Sequence, residues 1–314
     1  MTFSIVARDP ATGDLGVAVQ SKFLAVGAVV PWARADVGAV ATQSFANVAY
    51  GPDGLDLLAA GESATEALRR LTEADELRDE RQAGIVDARG GSATFTGRGC
   101  FAWAGGRIGE GFAAQGNILA GPAVVDGLVD TLLAGGRPFP ELLVACLAAA
   151  DAAGGDRRGR ESASLLVVRE AGGYGGGNDR WIDLRVDHHD DPIGELGRLL
   201  ELQHLYLDRP DPADLVPLDE GIATEIREIL TSLDGGPGGR FGSVYARMSG
   251  SATEADATPR PFTGEPRSMP SNWDDAWQRA LDDWMAVENL EERAAAPGWI
   301  DPRVVAVLRS RRPA

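Results

Sequence analysis

Met1-Thr-Phe-Ser-Ile-Val-Ala-Arg-Asp9, then Pro10-Ala-Thr-Gly-Asp14, then Leu15-Gly-Val-Ala-Val-Gln-Ser-Lys22: this opening stretch decides the fold. Its first arm alternates, with Phe3, Ile5 and Ala7 on one face and Ser4, Val6 and Arg8 on the other, which is the period of a strand. Pro10, Gly13 and the two Asp residues are turn formers, so the arms fold back as a β-hairpin. Thr2 stands directly behind the initiator Met, which aminopeptidases remove when the next residue is this small. The product carries a hydroxyl and a free α-amine on one residue, at the tip of a strand. The hairpin is expected at the edge of a two-sheet sandwich.

Working outward, Ala28 to Trp32 and Val37 to Gln43 read as further strands, rich in small residues. Leu55, Leu58 and Ala59 mark a short helix. Ser63 opens another, with Glu66 at capping-box spacing. A second set of strands follows at Gln82 to Asp87, Ser92 to Thr96, Gly99 to Trp103 and Gly111 to Ala114. Pro122 and Pro140 each start a helix, as Pro does at a first helical turn. Glu161 to Arg169 and Trp181 to Asp187 are the last strands, and Asp191-Pro192 caps a helix with the stripe Ile193, Leu196, Leu200 and Leu207. Paired helices between runs of strands do not fit a doubly wound sheet. They fit an α+β fold of two packed antiparallel sheets with helices on the outer faces.

The division expected from sequence is a main domain over 1–210, a connecting helix over 211–235, a Gly/Pro-rich linker or loop over 236–270 and a helical remainder over 271–314. The linker is poor in periodic apolar residues. Trp277, Leu281, Trp284 and Met285 recover helical spacing after it.

Composition narrows the partners. The formal net charge of −17 argues against nucleic acid and anionic membranes, which call for clustered Lys and Arg. No apolar run is long enough for a transmembrane span. Arg8 and Asp9 interrupt any signal-peptide core, so the expected location is cytoplasmic. Cys100 and Cys146 stand far apart and read as reduced thiols.

Five separated motifs carry a family resemblance: Thr2-Phe-Ser-Ile-Val-Ala-Arg-Asp-Pro10, Ser21-Lys-Phe-Leu-Ala-Val-Gly27, Val40-Ala-Thr-Gln43, Gln115-Gly-Asn117 and Gly155-Asp-Arg-Arg-Gly159. Together they resemble the domain-of-unknown-function 1028 family over the first two-thirds of the chain. The resemblance implies a relative of the N-terminal-nucleophile (Ntn) hydrolases, with their four-layer αββα sandwich. The tail, with Trp284-Met-Ala-Val-Glu-Asn-Leu-Glu-Glu-Arg293 and Ile300-Asp-Pro302, resembles the small helical peptidoglycan-binding-like module often joined to it. A cell-wall fragment or a protein is the partner this implies for the tail. Ntn folds often assemble, so a homo-oligomer is compatible with it.

The chemistry implied is hydrolysis of a small amide or peptide, without a cofactor. Thr2 Oγ attacks and its own α-amine accepts the proton. A nearby cation raises the neutral fraction of that amine, and Lys22 and Arg158 are the candidates. Asn117 or Gln43 is the candidate oxyanion donor. Asp156 and Asp9 are candidates to orient an ammonium or a substrate amine, and the pair Arg157 and Arg158 to hold a substrate carboxylate bidentately. Gln43, Asp156 and Arg158 are the expected substrate-binding residues. Each has a plainer reading: a polar strand start for Thr2, a solvated charge for Lys22, backbone-bonding turn residues for Gln43 and Asn117, a charged turn for 155–159. Ser4 and Ser21 are alternative hydroxyls without a terminal amine.

Two rival patterns are weaker. Asp187-His-His-Asp-Asp191 gathers two of the three histidines, but neighbours on a strand point to opposite faces and the spacing matches no zinc motif. Gly172-Gly-Tyr-Gly-Gly-Gly177 lacks the Lys-Ser/Thr ending of a phosphate loop. The competing function is a non-catalytic Ntn-like scaffold that binds a partner.

Overall fold

In the computed structural model, which describes residues 2–242 and 265–313, the opening hairpin is β1 (Thr2–Arg8) and β2 (Leu15–Ser21), antiparallel with Thr2 opposite Ser21. The Asp9 carboxylate closes the turn by accepting from Ala11 N and Thr12 Oγ1. The chain then runs through β3 (Pro31–Arg34), β4 (Gly38–Ser44), α1 (Tyr50–Ala59), α2 (Ala64–Ala74), β5 (Arg81–Asp87), β6 (Ser92–Thr96), β7 (Gly105–Gly109) and β8 (Phe112–Asn117). It continues with α3 (Ala123–Ala134), α4 (Phe139–Ala152), β9 (Ser162–Val168), β10 (Arg180–Val186) and α5 (Pro192–Tyr206). The expected cap of α2 forms, with Ser63 Oγ accepting from Glu66 N at 3.2 Å.

The fold is mixed α+β with two antiparallel sheets. One has the order β10-β9-β2-β1-β8-β7, the other β3-β4-β5-β6. β1 is therefore interior and not at an edge, because β8 pairs along its second side, Thr2 facing Asn117. Two sequence-expected strands also differ. Residues 26–28 form a 3-10 turn entered through left-handed Ala25 (φ 53°), which delays β3 to Pro31. Residues 99–103 form no strand: Gly99 N bonds Asp79 O, and Phe101 O and Trp103 O accept from Ile118 N and Leu119 N.

Strand alternation sorts the side chains into three apolar layers. Phe3 and Ile5 point to the side covered by α3 and α4, burying against Leu128, Leu143 and Leu147. Val40 and Ile85 meet Leu55, Leu58 and Leu68 of α1 and α2 on the far side of the second sheet. Between the sheets lie Val6, Val17, Val19, Ala39, Ala41, Val86 and Leu166. Burying each such aliphatic side chain stabilises by roughly 1.5–3 kcal/mol. The Leu207 of the expected α5 stripe is exposed, because α5 ends at Tyr206.

Two compact units divide the chain, Met1–Glu201 and Leu202–Ala314. The division precedes the expected boundary at 210 because Leu205 and Tyr206 pack against the second unit's core. That unit contains α6 (Glu220–Ser232), α7 (Asp275–Val287), α8 (Pro302–Ser310) and a two-stranded ladder of β11 (Val216–Pro217) with β12 (Trp299–Ile300). Trp284 is fully buried in its core, and Trp273 and Trp277 belong to the same cluster, their rings tilted by 35° with centroids 6.5 Å apart. Arg293 and Asp301 form a buried ion pair at 2.8 Å, and Arg293 also donates to Asp208 O. Of the expected linker, 243–264 lie outside the described residues. Its flanks differ from the expectation: Phe241 is buried in this core, Met269 packs against it, and Arg267 stacks on Trp299 at 4.9 Å.

Candidate functional site

The space between the two sheets changes character along its length. At one end β1, β2, β8 and β9 contribute Val6, Val17, Ala113 and Leu166. At the other the same strands contribute Thr2 and Ser4, Ser21, Gln115 and Asn117, and Ser162 and Ser164, all buried. β4 and β5 meet them with Gln43 and Gln82, which are paired across the second sheet. Buried polar side chains are stable only when hydrogen-bonded, and these are mostly wired together.

Gln82 is the hub. Its Oε1 accepts from Gln43 Nε2 at 2.8 Å and from Asn117 Nδ2 at 2.9 Å. Its Nε2 donates to Gly116 O at 2.8 Å and Thr96 Oγ1 at 2.9 Å. Gln43 Oε1 accepts from Ser4 Oγ, and Ser4 Oγ accepts from Gln115 Nε2, both at 2.7 Å. The Gln115 amide fits because residue 84 is glycine: a Cβ there would come 2.1 Å from its Oε1. This closely placed network fixes which end of each amide is nitrogen.

The polar end opens into a cavity of about 530 Å³. Thr2, 6% exposed, lines it together with Ser21, Gln43 and Asn117. Thr2 Oγ1 lies 3.0 Å from Ser21 Oγ, and the Thr2 carbonyl accepts from Gln43 Nε2 at 3.4 Å. Phe23, Phe45, Phe101 and Ile118 supply apolar lining, and Arg81 and Arg158 supply charge. Ser44 (φ 72°) and Ile118 (φ 53°) line the same cavity in left-handed backbone. For a β-branched residue such as Ile118 this conformation is strained, and strain of this kind gathers at functional sites.

Of the sequence-predicted residues, Thr2, Asn117, Gln43 and Arg158 meet at this cavity. Gln43 is a holding group more than a substrate contact, because its nitrogen is engaged by Gln82 and Thr2 and its oxygen by Ser4. Lys22 is elsewhere: its ammonium binds Glu161 at 2.6 Å and Arg160 O at 2.9 Å. The register explains this, since Ser21 faces Thr2 and the next residue leaves the strand. Asp156 does not line the cavity but stands behind Arg158, accepting from Lys22 N at 3.0 Å and Arg158 N at 2.8 Å. Burial pushes its carboxyl up, against the lowering by those two N–H bonds and the Arg158 charge. Asp9, in the turn at the other end of β1, has no access to Thr2. Burial also raises the Cys100 thiol, and that of Cys146 to about 12, so neither is a thiolate at neutral pH. His188 pairs with Glu161, and His189 Nδ1 accepts from Asp191 N.

Sequence reading missed Gln82, Gln115 and Arg81. Four of the chain's six glutamines, Gln20, Gln43, Gln82 and Gln115, sit in strands. A buried glutamine in each of four strands is the signal that was present. Arg81 is held by Asp75 at 2.9 Å and by Phe45 O. A wider cavity of about 670 Å³ beside α1 and α2 is lined by Asp53, Asp56, Asp75 and Glu76. It has no Ser, Thr, Cys or Lys nucleophile among its lining residues, so the smaller cavity is the better candidate.

The model of the family of unknown function DUF1028 matches residues 2–196. The chain belongs to the DUF1028 family. The matched span ends within α5 and contains every described residue that lines the cavity. A second model, described as "Putative peptidoglycan binding domain", matches residues 265–308, within the second unit. Among solved structures, the DUF1028 chain is similar to the crystal structure of protein SPO2555 from Silicibacter pomeroyi, itself titled with the DUF1028 family model. The two are 31% identical with a TM-score of 0.59, over 65% of this chain and 89% of that one. No curated protein matches the chain.

Proposed function

We propose that this DUF1028 chain is an N-terminal-nucleophile amide hydrolase, in which Thr2 acts once Met1 has been removed. Met1 itself lies outside the described residues. The observation that carries the reading is a strand-initial hydroxyl lining a cavity beside an Asn side chain. The layering supports it too, because helices cover the outer faces of two stacked sheets as in an αββα sandwich.

In this reading Thr2 Oγ attacks the amide carbonyl carbon, and the Thr2 α-amine takes the hydroxyl proton. The C–N bond breaks, the amine returns the proton to the leaving nitrogen, and an ester on Thr2 remains. Water activated by the same amine cleaves that ester, releasing a carboxylic acid and free Thr2. An α-amine titrates near pH 7.7–8.0, so an appreciable fraction is neutral at pH 7. Arg158 and Arg81 stand on the cavity wall, each paired with a carboxylate (Asp156 and Asp75), whereas Lys22 lies elsewhere. Asn117 Nδ2 is the oxyanion donor, and losing such a donor costs on the order of 100- to 1000-fold in rate. Gln43 and Gln82 position Thr2 and Asn117. The second unit would recruit a cell-wall fragment, and the two unpaired cysteines suit a cytoplasmic setting.

The test is a screen of small amides with native protein and Thr2→Ala. Turnover by the native chain and a loss of about 1000-fold or more in the variant are expected. One observation favours a second reading, a non-catalytic binding scaffold: Phe23, Phe45 and Phe101 are each more than half exposed at the cavity. Equal rates for native protein and Thr2→Ala would select that reading.

A further inference from the structure

The cavity at Thr2 differs from its neighbours in what lines it. Three other cavities are each lined by at least three carboxylates: Asp53, Asp56, Asp75 and Glu76; Asp14, Asp36 and Glu170; Asp151, Asp156 and Asp190. Among the described residues lining the Thr2 cavity there is no carboxylate, and more than half are Phe, Val, Ile or Ala.

The long polar side chains of this lining are already engaged. Gln43 is held by Gln82, Ser4 and the Thr2 carbonyl. Arg81 is paired with Asp75 and also donates to Phe45 O. Arg158 is paired with Asp156 and makes a further interaction besides. A charged substrate group therefore meets no arginine standing ready for it. The polar contacts to a reacting amide fall to Thr2 and to Asn117, whose Nδ2 gives one of its two hydrogens to Gln82.

The apolar side chains are placed differently. Phe23, Phe45 and Phe101 are 54%, 61% and 61% exposed, yet their backbones are fixed. Phe23 O accepts from Ser162 Oγ, Phe45 O from Arg81 and Phe101 O from Ile118 N. Anchored chain thus presents three rings to solvent around one opening. Val26 and Val30, 1% and 3% exposed, line the same cavity from the apolar core between the sheets. A group that enters the cavity reaches these valines, whereas a surface lying across the rim does not. Exposed apolar side chains that cluster mark an interaction site. The volume of about 530 Å³ lies within the range of small-molecule sites, about 300–1,000 Å³.

We infer that the cavity is a pocket for an uncharged apolar acyl group, aromatic or aliphatic, carried by the amide that meets Thr2. The acyl side is assigned because it stays on Thr2 as the ester after the amine has left, so it is the part that lasting apolar contacts can hold. That assignment rests on the Thr2 reading. The preference for an uncharged apolar ligand stands without it.

A ligand-observed NMR titration of the full chain tests it, using Thr2→Ala protein so that turnover does not intervene. The probes share one amide: 3-phenylpropanamide, propanamide and succinamate, which end in a phenyl ring, a hydrogen and a carboxylate. 3-Phenylpropanamide should bind at least about tenfold more tightly than either, as burial of a ring allows. Phe45→Ala combined with Phe101→Ala should remove most of that advantage, while the carbonyls bonded to Arg81 and Ile118 N are backbone atoms and stay. Ile108→Ala, a comparably exposed apolar position on β7 outside the lining, should leave the advantage unchanged. Equal affinities for the three probes, no binding of 3-phenylpropanamide, tighter binding of succinamate, or an advantage that survives the double Phe variant would overturn the inference. Ammonia release by native protein separates the two readings. Selective binding without release would sustain the apolar preference while removing the hydrolase reading and the acyl assignment. Release from all three probes at equal rates would keep the hydrolase reading and overturn the pocket.

Discussion

The two ends of the inter-sheet space are built by the same strands and obey opposite rules. At the apolar end Val6, Val17 and Leu166 bury side chains whose only demand is volume. At the polar end Ser4, Gln43, Gln82, Gln115 and Asn117 bury side chains that must each find partners. A buried hydrogen bond nets only about 0.5–1.5 kcal/mol, while an unsatisfied buried group costs about 1–3 kcal/mol. The polar end is therefore the poorer way to hold two sheets together. That it coincides with the cavity, with strained Ile118 and with the start of β1 indicates that it serves a site.

Gln82 separates the two ends most sharply. Gln82→Ala strips partners from Gln43, Asn117 and Gly116 O at once, and should lower stability by about 3 kcal/mol. It should also reduce amide turnover, since Asn117 and Thr2 lose their support. Val17→Ala at the apolar end should lower stability by about 2 kcal/mol and leave turnover unchanged. Urea unfolding and rate measurements on both variants test the contrast; equal effects on turnover would break it.

A smaller, pH-dependent effect comes from the wall behind the polar end. Burial works to raise the Asp75 carboxyl, but Arg81, Leu77 N, Asn47 and Tyr50 outweigh it and hold it at about 2. In the unfolded chain an Asp takes its proton near pH 3.9. The folded value is lower, so its stabilisation is fully present above about pH 4 and is lost as pH falls toward 2. Asp75→Asn should thus lower stability by about 1–2 kcal/mol at pH 5 and by much less at pH 2. Thermal unfolding at the two pH values measures this, and an equal loss at both would remove the ion pair from the account of the wall.

Much of the frame was legible in sequence because it depends on local rules. The alternation of Phe3, Ile5 and Ala7, the Ser63 cap and the prolines opening α3 and α4 all act within a few residues. The interior position of β1 was not legible, because it depends on β8 pairing more than a hundred residues away. The same limit hid Gln82: its side chain reads as a polar strand start until β5 is set against β8. Lys22 misled for a related reason. Adjacency to Ser21 in sequence suggested adjacency to Thr2, but the strand ends at Ser21 and the ammonium leaves toward Glu161. In the second unit the Trp stripe was readable from helical spacing, whereas the buried Arg293–Asp301 pair, eight positions apart and set by tertiary packing, was not.

The most direct measurement of the central claim is the intact mass of the soluble native chain, with the N-terminal residue assigned by fragmentation. The account predicts that Met1 is absent and that the chain begins with an unmodified Thr2. A chain that retains Met1, or carries a blocked Thr2 amine, would contradict it, because the hydroxyl would then have no amine of its own to take its proton.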